Sequence, residues 1–144
     1  MKVIAFIGYH NSGKTSLLEK VARRLKEKGY RVGYIKHDPK GHGITDREGS
    51  DTSRIFRILD RVVLISPDRI TLWDRREEDL FSVIKEFFSG YDIVLIEGFK
   101  GLKRLPKVAL GEVKGENVIM RVSRETDTES VVELIENLEE NLWV

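Results

Sequence analysis

The residues whose types and spacing most clearly indicate a chemical function form one glycine-rich segment near the start of the chain, GYHNSGKT from Gly8 to Thr15. It satisfies the pattern G-x-x-x-x-G-K-[S/T], in which backbone N–H groups at a helix N-terminus surround phosphate oxygens. Glycine permits the sharp turn at Gly8 and the close approach of phosphate at Gly13. The lysine would reach the β- and γ-phosphates, and the threonine hydroxyl would ligate Mg²⁺. The segment predicts a site for a nucleoside triphosphate with Mg²⁺, with contacts from Gly8, His10, Asn11, Ser12, Gly13, Lys14, Thr15 and Ser16.

A carboxylate, Glu97, follows the apolar run DIVLI. In P-loop proteins a carboxylate at the end of a buried strand holds Mg²⁺ or its water shell. Because this residue is Glu and not the commoner Asp, we expect a water-mediated metal contact or a water-orienting role. Lys14 and Glu97 are therefore the catalytic candidates, and Thr15 and Glu97 are metal candidates. The alternative is a surface glutamate before a turn.

A loop rich in glycine and charge, roughly residues 37–49, follows the second predicted strand. Its position suits a switch segment that contacts the γ-phosphate or the metal. Asp38 and Asp51 are the preferred candidates for a further metal or water contact, and Asp51 joins the predicted metal ligands. The remaining polar residues are His37, His42 and Asp46. These residues do not form a complete zinc ligand set at a recognised spacing, and any of them can equally be a solvated loop residue.

A basic cluster comes directly after the Glu97 strand and consists of Lys100, Lys103, Arg104 and Lys107. One interpretation is a charged surface loop. The other is a second anion site beside the nucleotide, for a phosphorylated substrate or partner. The residues alone leave both open.

The elements that must position these residues alternate between strands and helices, which indicates an α/β fold with a doubly wound, mainly parallel sheet. Ligands of such sheets lie at the carboxyl ends of strands, where both Gly8 and Glu97 fall. Residues 1–144 are expected to form one domain. The predicted strands are 2–7, 31–36, 62–66, 70–73, 92–96, 108–110 and 118–122. The predicted helices run from 14 to Gly29, over 50–59 with Ile55, Ile58 and Leu59 inward, over 77–88, and from a capping box of Thr126 and Glu129 through Leu142.

Composition excludes several classes of protein. With 25 basic and 24 acidic side chains the formal charge is +1, which argues against non-specific nucleic-acid binding. The absence of cysteine excludes disulfides, thiolate metal sites and a cysteine nucleophile. No apolar run approaches the length of about 20 residues that a membrane helix needs, and the chain is expected in the cytoplasm.

Three segments together, NSGKTSL, GYIKHD and DIVLIEGFKG-LKRLPKV, resemble the molybdopterin-guanine dinucleotide biosynthesis protein B family, MobB. The resemblance runs from about residue 3 to 122. It implies a GTP-binding P-loop protein of the SIMIBI-like group, often a homodimer, with weak GTPase activity. Such a protein assists the guanylyltransferase that joins GMP to molybdopterin, and molybdopterin is itself a candidate ligand. The resemblance gives phosphate and Mg²⁺ to Gly13, Lys14 and Thr15, gives the Walker B role to Glu97, and places Lys100 and Lys107 toward the anionic ligand.

The chain departs from the family pattern in two places. The stretch TDREGSDTSRIFRILDRV differs from the family's usual sequence, which weakens any transfer of roles to Asp46 or Asp51. A guanine-reading Asn-Lys-x-Asp motif is also absent. Asp127, after the last strand, either accepts from guanine N1 and N2 or caps the final helix.

Two other functions compete with this reading. A small ATP-dependent nucleoside or metabolite kinase would need an arginine-bearing lid, and the charged turn of Arg75 and Arg76 is too short to close over a substrate. A GTP-dependent metal-delivery chaperone would use His37 and His42.

Trp143 and the apolar stripe of the last helix would pack on a second subunit or complete the core.

Overall fold

A computed structural model of the chain describes residues 1–142, so the contact predicted for Trp143 lies outside the described residues. The chain divides into two compact units. The first combines residues 1–37 and 81–142, and the second is Asp38–Leu80. The single domain expected over residues 1–144 stays a prediction.

The elements follow one another in the order predicted from the sequence. They are β1 (Lys2–Gly8), α1 (Lys14–Glu27), β2 (Val32–Lys36), α2 (Asp51–Phe56), β3 (Arg61–Ser66), β4 (Arg69–Asp74), α3 (Leu80–Phe87), β5 (Ile93–Glu97), β6 (Lys107–Leu110), β7 (Val118–Val122) and α4 (Thr128–Asn137). α3 begins three residues later than the predicted helix. No helix in residues 1–142 is long and apolar enough to cross a membrane.

The first unit is built on a five-stranded sheet with the order β2-β5-β1-β6-β7. Every neighbouring pair in it is parallel. β1, which leads into the glycine-rich loop, is the central strand. The carboxyl ends of all five strands therefore meet at one edge of the sheet, where ligands of open α/β sheets bind.

Helices cover both faces of this sheet, which confirms the doubly wound fold. On one face Ile4 and Phe6 pack in a buried cluster with Leu18 and Val21 of α1 and with Val131 of α4. Burial of each such side chain stabilises the fold by about 1.5–3 kcal/mol. On the other face Phe88, directly after α3, lies so close to Gly33 that a Cβ there would meet its ring at 2.4 Å.

Gly29 ends α1 as the sequence predicts. Its φ of +95° is in the left-handed region, where a side chain is strained. The amide of Gly29 donates to Lys26 O at 3.0 Å, and that of Tyr30 donates to Leu25 O at 3.2 Å. These two bonds form a Schellman motif, which satisfies the last carbonyls of the helix and turns the chain into β2.

The second unit contains α2 and an antiparallel hairpin of β3 and β4, close to the two predicted strands. The prediction that Ile55, Ile58 and Leu59 point inward is wrong, because these side chains are 46%, 77% and 52% exposed. On the hairpin, Ile65 and Ile70 are also exposed, at 78% and 70%. A six-residue helix and two strands offer too little surface to bury their own apolar side chains.

The start of α4 corrects another prediction. Asp127, and not Thr126, is the N-cap, since its side chain accepts from the amide of Glu129 at 3.1 Å. The Thr126 hydroxyl instead accepts from the amide of Ser123 at 2.9 Å and closes the turn before the helix. Leu142, predicted on this helix, lies beyond its end but is buried.

Candidate functional site

A cleft of about 720 Å³ opens at the carboxyl edge of the sheet in the first unit. The glycine-rich loop and the first turn of α1 form its floor. Lys36, His37, Glu97 and Gly98, at the ends of β2 and β5, form one wall. The opposite wall follows β7 and contains Ser123, Arg124, Thr126 and Thr128. The predicted contact residues from His10 to Ser16 all line this cleft.

The glycine-rich loop has the shape that its two glycines permit. A Cβ at Gly8 would lie 2.6 Å from Ser12 Oγ and 3.3 Å from Leu110 Cβ, so only glycine fits there. Asn11 and Gly13 have φ values of 61° and 93°, both in the left-handed region. These turns bring the chain round from β1 into α1 within five residues.

The start of α1 suits a bound anion. Gly13 is its N-cap and supplies no side-chain hydrogen bond, and the first turn contains no acidic residue. The first amides of a helix have no intrahelical acceptor, and the helix dipole makes this end positive. Ser12 Oγ is buried with no hydrogen-bond partner in the described part of the chain. An orphaned hydroxyl and free amides in one concave loop fit the oxygens of a phosphate chain.

Lys14 and Thr15 already point to the places where phosphate and metal chemistry is expected. Lys14 Nζ donates to Gly8 O at 3.2 Å, which holds the ammonium across the loop. Thr15 Oγ1 donates to Glu97 Oε1 at 3.3 Å. The structure thus brings together a hydroxyl from α1 and a carboxylate from β5, two hard oxygen ligands that suit Mg²⁺.

Glu97 is 4% exposed, and its surroundings explain how a carboxylate is kept in so enclosed a place. Lys36 Nζ lies 3.5 Å from Glu97 Oε2, on the neighbouring strand. Burial, together with the charge and the hydrogen bond of Glu97, raises the pKa of the Tyr34 phenol to about 12. Tyr34 therefore stays protonated at neutral pH and remains a donor to the carboxylate. The sequence did not single out Tyr34 or Lys36, although their alternation along β2 places both on the side of Glu97.

His37 is the one residue of the predicted switch loop that lies in the first unit and lines the cleft. Its amide donates to Glu97 O at 2.9 Å. Its ring stacks on Phe99 with the centroids 3.9 Å apart and the planes 10° apart. These contacts join the ends of β2 and β5 beside the carboxylate.

The other predicted loop residues belong to the second unit, where the structure gives them local roles. Asp38 accepts from the amides of His42 and Gly43 at 3.1 and 2.7 Å. Asp46 accepts from the Thr52 hydroxyl at 2.6 Å, and this bond lowers the pKa of Asp46. Asp51 is exposed in the first turn of α2. Its metal role stays a prediction.

The basic cluster divides into buried and exposed members, and none of the four lines the cleft. The expectation that Lys107 faces an anionic ligand is wrong. Lys107 is fully buried, and its Nζ donates to Leu102 O at 2.5 Å and to Leu105 O at 2.8 Å. Burial lowers the pKa of this ammonium. Its function in the structure is to hold the loop between β5 and β6, while Lys100 remains exposed.

After β7, Arg124 lies in the cleft and Asp127 does not. Asp127 caps α4, the second of its two predicted roles, and is not a cleft residue. Arg124 does line the cleft, and its Nη2 donates to Asn11 O at 2.7 Å. This contact joins residues 113 positions apart, so no local pattern could have revealed it.

Arg75 and Arg76, the residues that a kinase lid would use, are held within the second unit. Arg75 donates to Phe56 O at 2.7 Å and lies 4.3 Å from the centre of the Phe56 ring. Arg76 pairs with Asp74 at 3.2 Å. Across residues 1–142 no three His, Asp or Glu side chains gather as a metal-binding group. No observation therefore favours the kinase or the metal chaperone.

Comparison with known sequences gives a consistent result. A family model, described as molybdopterin guanine dinucleotide synthesis protein B, matches residues 3–136. A protein of Methanocaldococcus jannaschii is 36% identical over 76% of this chain and 47% of its own length. One of Bacillus subtilis is 34% identical over 75% of this chain and 64% of its own. Both carry provisional names as molybdopterin-guanine dinucleotide biosynthesis adapter proteins.

The Escherichia coli molybdopterin-guanine dinucleotide biosynthesis adapter protein is 32% identical over 68% of this chain and 59% of its own length. The chain thus spans between about half and two thirds of the curated relatives it matches. Among solved structures, Bacillus subtilis MobB superposes with a TM-score of 0.78 at 27% identity, covering 96% of this chain and 99% of that one. A second structure of Bacillus subtilis MobB gives a TM-score of 0.68 at 25% identity, over 88% and 80% of the two chains. The P-loop fold predicted from the sequence is confirmed.

Proposed function

We propose, from the premise that this chain belongs to the molybdopterin guanine dinucleotide synthesis protein B family, that it is a GTP-binding adapter protein of molybdenum-cofactor biosynthesis. It acts beside the guanylyltransferase that joins GMP to molybdopterin. Its relatives are named as adapters of this biosynthesis. The observation that carries the proposal is the meeting of Thr15 and Glu97 at 3.3 Å beside an uncapped helix N-terminus.

The proposal gives each cleft residue a defined task. The amides at the start of α1 and the Ser12 hydroxyl would bind phosphate oxygens, because Gly13 gives no side-chain cap and Ser12 Oγ has no hydrogen-bond partner within residues 1–142. Lys14, whose Nζ lies across the loop at Gly8 O, would bind the β- and γ-phosphates. Thr15 and Glu97 would hold Mg²⁺, which would supply positive charge to the terminal phosphates. Tyr34 and Lys36 hold the Glu97 carboxylate in position.

We propose slow hydrolysis because the family resemblance implies only weak GTPase activity. Catalysis of phosphoryl transfer rests on groups that stabilise charge at the γ-phosphate and orient water. Lys14 and Glu97 are the candidates for those tasks in the cleft. GTP binding is then the main property of the protein, and a weak Mg²⁺-dependent GTPase activity is secondary. We also propose that the protein is cytoplasmic and forms a homodimer.

Reconstituted guanylyl transfer tests the proposed function. The reaction would contain molybdopterin, the guanylyltransferase, GTP and Mg²⁺, with wild-type chain, with Lys14→Ala, or with neither. We expect wild-type protein to raise the yield of the guanine dinucleotide cofactor and Lys14→Ala to lose that effect. Equal yields with and without the wild-type chain would contradict the adapter role.

A further inference from the structure

Arg124 is a cleft residue for which the proposed function has no task. Its Nη2 donates to the carbonyl of Asn11, at the top of the glycine-rich loop. Its side chain also runs past Gly13, where an added Cβ would lie 3.8 Å from both Arg124 Cγ and Nε. In residues 1–142 it forms no ion pair with any carboxylate. The guanidinium is therefore positioned by the backbone of the loop and is exposed in the cleft.

The strand order fixes which part of a nucleotide would meet Arg124. Thr15 and Glu97 lie toward β5, on one side of β1, and Arg124 follows β7, on the other side. If Thr15 and Glu97 hold the cation that accompanies the terminal phosphates, those phosphates would lie on the Glu97 side. The α-phosphate and the nucleoside must then extend across the loop toward β7. The cleft continues in that direction and ends at the wall of Ser123, Arg124, Thr126 and Thr128.

Arg124 is the side chain of this wall that offers a base a planar surface. Thr126 and Ser123 each use one hydroxyl lone pair in the turn, where Oγ1 of Thr126 accepts from Ser123 N and Oγ of Ser123 accepts from Glu125 N. Asp127 spends one oxygen on the α4 cap. A guanidinium is planar and stacks on aromatic faces, including those of nucleobases. Its remaining N–H groups stay available when one of them is held by a carbonyl.

We propose that Arg124 is the nucleoside-binding residue of the cleft, where its guanidinium stacks on the base plane while Nη2 holds the Asn11 carbonyl. The inference rests on the proposed function, because it assigns the base end of the same site. The contact with Asn11 O holds the guanidinium in place for the base.

A comparison of ligands with and without a base tests this role. GTP and inorganic tripolyphosphate, each with Mg²⁺, would be titrated by calorimetry into wild-type protein, Arg124→Ala, Arg124→Lys and Lys14→Ala. Stacking of one base changes affinity by roughly five- to a hundredfold on truncation to alanine. We expect Arg124→Ala to lose about tenfold for GTP and less than twofold for tripolyphosphate. Arg124→Lys keeps the charge and a donor but not the plane, and it should lose a similar factor for GTP.

The Lys14→Ala control and the possible negative results distinguish the stacking role of Arg124 from the proposed GTP-binding function. Lys14→Ala should weaken both ligands, because it acts on phosphates. If tripolyphosphate binds too weakly for direct titration, its competition against GTP in each variant gives the same ratio. Equal losses of both ligands in Arg124→Ala, or no loss of GTP, would overturn the stacking role. Failure of wild-type protein to bind any nucleotide would instead overturn the proposed function itself.

Discussion

At the scale of single residues, the chemistry of this cleft depends on a carboxylate that is nearly buried yet well supplied with donors. Glu97 receives the Thr15 hydroxyl at 3.3 Å and the Lys36 ammonium at 3.5 Å. A buried charge is costly unless it is paired and hydrogen-bonded. These partners reduce that cost and leave the carboxylate beside the loop where a metal ion would bind.

Replacing Glu97 with Gln should uncouple nucleotide binding from Mg²⁺. Glutamine keeps the shape of the side chain but removes the negative charge that attracts the cation. We expect Glu97→Gln to reduce, by about tenfold, the gain in GTP affinity that Mg²⁺ brings over EDTA, because a hydrogen bond to a charged group contributes about 1.5–3 kcal/mol. Isothermal titration in the two buffers measures it, with exposed Glu112→Gln as the control. An unchanged Mg²⁺ effect would remove Glu97 from the metal site.

The sequence predicts the site residues that a local pattern identifies, and it misses those whose roles depend on contacts with distant parts of the chain. Lys14, Thr15 and Glu97 follow from a spacing pattern and from the end of an apolar strand. Lys107 looked like a surface cation in a basic run, but the fold closes a loop over its ammonium. Arg124 was passed over because its partner is far away in the chain.

At the scale of elements, the Glu136 side chain ties α4 to the turn between α1 and β2. The Glu136 carboxylate accepts from Lys28 Nζ and, at 2.8 Å, from the Tyr30 hydroxyl. The hydrogen bond from Lys28 and then that from Tyr30 hold the pKa of Glu136 below its ordinary value of 4.5. A depressed carboxylate pKa means that the folded state favours the charged form.

Glu136 should therefore stabilise the fold in a pH-dependent way. Its contribution is present above the unfolded pKa near 4.5 and is lost as the pH falls through the lower folded pKa. We expect Glu136→Gln to melt at a lower temperature than wild type at pH 7 and to approach wild type in acid. Thermal unfolding from pH 7 to 3 tests this, with exposed Glu133→Gln on the same helix as control. A deficit that stays constant across this range would contradict the role of the charge.

The periodicity of apolar residues predicted the helices and strands more accurately than it predicted which of their faces are buried. The apolar positions of α1 gave the correct buried face, because a five-stranded sheet lies under it. The same reasoning failed for Ile55 and Ile58 of the α2 region, since their own unit has no comparable layer. A helical pattern identifies the apolar face of an element and cannot tell whether the chain supplies its partner.

At the scale of the whole molecule, the exposed apolar side chains of the second unit support the proposed homodimer. Ile65 and Ile70 are cross-strand partners and are 78% and 70% exposed. An isolated two-stranded hairpin is only marginally stable in water. A second copy of the chain offers the same surface, as an isologous dimer interface requires.

We expect Ile65→Lys to shift the protein from dimer to monomer without changing its affinity for GTP. A lysine placed in an apolar interface would lose its hydration there and face its counterpart from the other copy. Light scattering after size-exclusion chromatography measures the mass. The matched control is Ile119→Lys on β7, another exposed strand isoleucine. A monomeric wild-type protein, or a dimer that persists in Ile65→Lys, would contradict this assignment.

The adapter function requires that the protein bind GTP in preference to ATP. GTP and ATP, each with Mg²⁺, would be titrated by calorimetry into wild-type protein and into Lys14→Ala. We predict that GTP binds to wild-type protein in preference to ATP and that Lys14→Ala weakens this binding at least tenfold, as expected for a lost charge-assisted contact of about 1.5–3 kcal/mol. Preference for ATP over GTP would contradict the adapter function and would make the kinase alternative the better explanation of the same cleft.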